Sequence, residues 1–136
     1  MFPNATALSK YKAVQVTTCS PGQLLLMLYD GLFRFIREAQ DAIVAKNPAV
    51  AGERISRSHA ILEHLLTRLD PAAAPELCAQ LEPLYVYCMR TLIEANIRRD
   101  PQKLTDVIRV LTPLREAWGT VVAQAALPQT AAAAAR

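Results

Sequence analysis

Histidines 59 and 64 and cysteines 19, 78 and 88 have the broadest chemistry in this sequence, so the first question is what His59, His64, Cys19, Cys78 and Cys88 can do together. His59 and Glu63 stand four apart, and on a helix they share a face that could offer a nitrogen and a carboxylate to one metal ion. A di-iron site in a helical bundle needs Glu-x-x-His on each of two helices plus further glutamates, and a second histidine-bearing helix is missing. Neither histidine sits beside a Ser or Cys in a nucleophile motif. The cysteines are odd in number and lack C-x-x-C spacing, so they read as free thiols of a reducing compartment rather than as a disulfide frame or zinc site. Gly22, Gly31, Gly52 and Gly119 are too dispersed to cradle a phosphate. The expectation is a protein with no catalytic site, no metal and no cofactor. Its work is binding.

A chain of 136 residues holds one domain, and 52% hydrophobic against 20% charged residues excludes disorder. That apolar share exceeds what one small core obviously needs. Few glycines, nine prolines and 6% aromatics favour helices over a small sandwich or barrel. The net charge of +3 is spread along the chain without a basic patch, which argues against nucleic acid. Residues 1–20 lack the apolar core of a secretory signal, and the apolar run at 24–29 is cut by Asp30 and Arg34. A soluble, cytosolic protein without stable membrane insertion is expected.

The elements that position any binding surface are marked by prolines behind capping residues. Ser20-Pro21-Gly22-Gln23 has the form of a capping box with proline at the first helical position. Asn47-Pro48 and Asp100-Pro101 repeat the pairing, and Asp70-Pro71 followed by Pro75-Glu76 ends one segment and opens the next. These signals predict helices at roughly 20–46, 49–69, 75–99 and 101–125. Short links make successive helices antiparallel, so the fold class is all-α, an up-down four-helix bundle over 19–125. Residues 1–18 are expected to form a flexible N-terminal arm and 126–136 a mobile alanine-rich tail. Pro83 and Pro113 fall inside the third and fourth helices, where they either bend the rod or, for Pro83, mark a later helix start.

Each helix carries an apolar stripe at three-and-four spacing. The predicted core stripes are Leu25, Leu28, Leu32, Phe35, Ala39 and Ile43 on the first helix and Ile55, Leu62, Leu66 and Leu69 on the second. On the third they are Leu77, Leu81, Leu84, Cys88 and Leu92, and on the fourth Leu104, Val107, Leu111, Leu114, Trp118 and Val121. Two helices have a second stripe. Leu26, Tyr29 and Phe33 on the first, with Val86, Met89, Ile93 and Ile97 on the third, are the residues expected to meet a partner. A broader internal core or a homodimer would use the same residues, so two readings remain: a groove for a partner's amphipathic helices, or a self-pairing scaffold.

The runs SPGQLLLMLYDG at 20–31 and LYVYCMRTLIEAN at 84–96, and the stretch 111–118 ending in Glu116-Ala117-Trp118, together resemble the flagellar secretion chaperone family, FliS. The likeness spans about 8–118, in the expected order. Val86 departs from an acidic residue common at that place, Pro83 and Pro113 are unusual, and the alanine tail has no counterpart. The resemblance implies a cytoplasmic helical bundle that binds the disordered C-terminal segment of flagellin, which wraps around it largely as helices. It also implies that flagellin is kept from polymerising prematurely and is delivered to the cytoplasmic domain of the flagellar type III export gate, with no nucleotide bound by the chaperone. Leu8-Ser9-Lys10-Tyr11 is similar to the family's apolar-x-x-tyrosine arm, so Leu8 and Tyr11 are implied to lie over the groove in the absence of client. The alternative is a homodimerising helical scaffold or adaptor without a flagellin client.

Overall fold

A computed structural model describes residues 20–135 of the chain, with side chains as far as Ala125. Leu8, Tyr11, the rest of the expected arm and Cys19 lie outside the described residues. Among the described residues there are four helices: α1 (Pro21–Val44), α2 (Pro48–Thr67), α3 (Pro75–Arg98) and α4 (Pro101–Ala135). Each begins on a proline, whose fixed φ suits a first turn that has no use for its missing N–H.

Three of the four starts are capped as the sequence predicts. The Gln23 N–H donates to Ser20 Oγ at 3.1 Å and the Ser20 N–H to Gln23 Oε1 at 3.3 Å, a complete capping box. Asn47 Oδ1 accepts from the Val50 N–H at 3.3 Å, and Asp100 Oδ1 from the Gln102 N–H at 2.9 Å. Helix α3 instead follows Ala74, without a side-chain cap, and relies on Glu76 against the helix dipole. Two reversals are made by non-glycine residues in the left-handed region, Lys46 (φ 58°) and Arg99 (φ 53°).

Helix α3 begins at Pro75 and runs unbroken through Pro83, so the later start does not occur, and α4 likewise continues through Pro113. Both prolines are exposed, as are Ala79 and Arg109, whose carbonyls lose their i+4 intrahelical donors. Helix α4 extends to Ala135, past the predicted stop near 125, through a tract of the strongest helix-forming residue.

Packing runs around a square: α1 on α2, α2 on α3, α3 on α4 and α4 back on α1. The cross-links descend in register as an antiparallel arrangement requires. Arg115 Nε donates to Asp30 Oδ1 at 2.9 Å near one end of α1, and Gln40 Nε2 donates to Thr105 Oγ1 at 2.9 Å and the Pro101 carbonyl at 3.2 Å further along. Arg54 pairs with Glu38 between α2 and α1, and Lys103 with Glu94 between α4 and α3 at 3.1 Å. The core is filled by Leu32, Ile36, Leu62, Leu92, Leu104 and Leu111, all fully buried. Each such side chain contributes about 1.5–3 kcal/mol of transfer free energy.

Two orientations differ from the sequence reading. Tyr29 and Phe33, expected to face a partner, are core residues at 0% and 7% exposure, and Leu26 is half-buried. The two supposed stripes of α1 straddle one broad arc centred on Ile36, because α1 packs against both α2 and α4 and must be apolar over more than one narrow seam. On α3 the reverse holds: Leu77 and Leu84, expected inside, are 41% and 37% exposed, and the inward face is Cys78, Leu81, Tyr85, Cys88 and Leu92.

Candidate functional site

The surplus apolar surface that remains lies mainly on the two flanks of α3. Towards α2, Ile93 and Ile97 are 48% and 75% exposed, Val86 is half-buried, and Met89 is half-buried and packed against the core. With Ile55, Ser56, His59 and Asn96 the two isoleucines line a groove of about 250 Å³ between α2 and α3. Helices α2 and α3 come close at Gly52, where an added Cβ would lie 3.6 Å from Asn96 Oδ1. The sequence stripe Val86, Met89, Ile93 and Ile97 is thus brought together along one side, whereas Tyr29 and Phe33 are not part of any open surface.

Towards α4 there is a second furrow, of about 270 Å³, walled by Leu77, Leu81, Leu114, Ala117, Trp118 and Val121. Sequence spacing does not reveal it, because Leu77, Leu114, Trp118 and Val121 share the three-and-four spacing of core residues. The signal that could have found it is the excess of large apolar side chains at the α3 start and over 114–121 of α4, more than one seam can bury. Around the corner, Pro21, Gly22, Leu25, Trp118, Val121 and Val122 line a cleft of about 430 Å³ between α1 and α4. Gly22 allows a close approach there, since a Cβ would come within 2.8 Å of Val122 Cγ2 and oblige that side chain to shift. Trp118 is a wall of both spaces.

Behind Trp118 lies the chief polar feature of the core. The Tyr29 and Tyr85 hydroxyls meet at 2.6 Å across the diagonal from α1 to α3. Burial, reinforced by this hydrogen bond, pushes the Tyr29 phenol far above its ordinary range, and burial raises Tyr85 as well, while Trp118 acts on both in the opposite sense. Burial also pushes the Cys88 thiol up to about 12, which removes it from thiolate chemistry at neutral pH. On the surface, the hydrogen bond to Asp30 raises Arg115 further.

Among the described residues, no three His, Cys, Asp or Glu side chains gather where they could hold a metal ion, and no helix is long and apolar enough to cross a membrane. What the surface offers is apolar area in grooves between helices, a chemistry of binding by burial.

Comparison with known proteins leads to the same ground. The family described as Flagellar protein FliS matches residues 4–125. The flagellar secretion chaperone FliS of Bacillus subtilis (strain 168) is 35% identical over 108 residues, covering 79% of this chain and 80% of its own length. The flagellar secretion chaperone FliS of Salmonella typhimurium (strain LT2) is 30% identical over 116 residues, covering 85% of this chain and 86% of its own. A solved bacterial flagellar chaperone superposes with a TM-score of 0.72 over 90% of this chain and 99% of its own, at 17% identity, a likeness of fold. An all-helical bundle with apolar grooves flanking α3, matched by this family over almost its whole described length, belongs to the FliS family of flagellar secretion chaperones.

Proposed function

We propose that the protein is an export chaperone of the cytosol that binds the disordered C-terminal segment of flagellin, keeps it from polymerising prematurely and delivers it to the flagellar type III export apparatus. Membership of a chaperone family implies a non-catalytic role, and the observation that carries the reading to this surface is the exposed pair Ile93 and Ile97 in the α2/α3 groove. Large aliphatic side chains held open to water on a well-packed bundle are stabilised when an amphipathic helix covers them. The α3/α4 furrow extends the apolar area around the bundle, as a client that wraps would use it. A segment that folds as it binds offsets part of its contact energy by ordering, which keeps the complex releasable.

The arm belongs to the same proposal. Residues 1–18 act as a displaceable lid, with Leu8 and Tyr11 as its apolar contacts and the cytoplasmic domain of the export gate as the partner that reads it. Support comes from Ser20, which lines the apolar α1/α4 cleft.

Isothermal titration with the flagellin C-terminal segment tests the reading. Submicromolar binding with a negative heat-capacity change and a gain of helix is the expected result. A folded protein that ignores the segment and instead dimerises through α3 would replace the chaperone by the self-pairing scaffold.

A further inference from the structure

The α2/α3 groove sets three isoleucines, Ile55, Ile93 and Ile97, beside a polar notch made by Ser56 and His59 of α2 and Asn96 of α3. None of these three side chains has a hydrogen-bond partner among the described residues. Their neighbours show that this is not general: Ser58 Oγ donates to the Arg54 carbonyl at 3.0 Å and Thr91 Oγ1 to the Tyr87 carbonyl at 2.8 Å. The Asn96 amide lies over Gly52, where no side chain intervenes, so its donors and acceptor are presented at the line along which the two helices meet. In the uncovered groove water satisfies them. A helix laid over Ile93 and Ile97 removes that water, and a polar group left unpaired beneath it opposes binding.

Resting on the client reading above, we infer that Asn96, supported by Ser56 and His59, sets the register of the bound flagellin helix by requiring an amide or hydroxyl side chain opposite it within the client's otherwise apolar stripe. The physics is that of a single polar position in an apolar helical seam, which fixes alignment because every shifted register buries it against a hydrocarbon. The isoleucines supply contact area that a helix can use in several positions. Only one position satisfies the notch, so specificity and affinity come from different residues.

Calorimetric titration of the full-length protein with the flagellin C-terminal segment tests this. Asn96→Leu is expected to weaken binding of the native segment about tenfold or more, because the client's polar side chain then faces leucine. In a panel of segments, each with one Asn, Gln, Ser or Thr changed to Leu, one member is expected to bind the wild-type protein poorly and to regain affinity for Asn96→Leu. Asn96 is exposed on a helix, where leucine is the better helix former, and circular dichroism checks the fold. Asn96→Ala is titrated instead should the leucine variant lose helicity. Binding of Asn96→Leu as tight as or tighter than wild type, or losses that simply add across the panel, would overturn the inference and leave the client reading standing. Failure of the wild-type protein to bind any segment overturns both.

Discussion

The hydroxyls of Tyr29 and Tyr85 satisfy each other in the middle of the core, and their behaviour defines what can be tested at single residues. Tyr29→Phe takes away the phenol partner of the buried Tyr85 hydroxyl, leaving it only Trp118, and is expected to cost about 1–3 kcal/mol, whereas changing both to Phe removes donor and acceptor together. Urea unfolding of the two single variants and the double variant should therefore give a double-mutant loss smaller than the sum of the singles. The same pair makes stability sensitive to alkali. Both phenols are raised in the folded state, and unfolded tyrosine titrates near about 10. Between that value and the raised ones the native state binds more protons than the unfolded state. The stabilisation is thus complete below about pH 10 and is lost as pH rises above it. An ultraviolet pH titration is expected to show these two tyrosines ionising only together with the loss of helicity, and Tyr29→Phe/Tyr85→Phe should blunt that transition.

At the scale of the element, α1 and α3 answer opposite designs with similar sequences. Phe33→Asp places a carboxylate among buried side chains of α1 and is expected to abolish the cooperative thermal transition seen by circular dichroism. Ile93→Asp places it in water on α3 and is expected to leave the melting temperature nearly unchanged while flagellin binding, read by titration, is lost. Helix starts were legible because caps are local: Ser20 with Gln23, Asn47 and Asp100 act within their own turn. The exposed Ile93 and Ile97 were legible too, lying farther round α3 than its inward residues Leu92 and Ala95. The direction of Tyr29 was not, since periodicity fixes which residues share a face but leaves the absolute rotation to the neighbours. Helix α1 has neighbours on two sides, and its two apparent stripes merged into one. The α3/α4 furrow was hidden for the complementary reason, because Leu77 and Val121 carry core spacing at a place where the bundle provides nothing to bury them.

For the whole molecule, the square packing of four helices leaves its apolar openings unevenly placed. The α1/α4 cleft and the α3/α4 furrow share an end, the one where α1 starts, while the α2/α3 groove lies towards the opposite end of α3. Deleting residues 1–18 is expected to tighten flagellin binding severalfold by removing a competitor for the apolar surface, and to weaken capture of the export gate's cytoplasmic domain in a pull-down. No change in either would defeat the lid. Trp118 stands between the two spaces at that end and beside the tyrosine pair. It is also the chain's one tryptophan. The protein therefore carries its own optical gauge: whatever dries either side of this indole shifts its emission to the blue, so occupancy of the shared end can be followed in real time without a label.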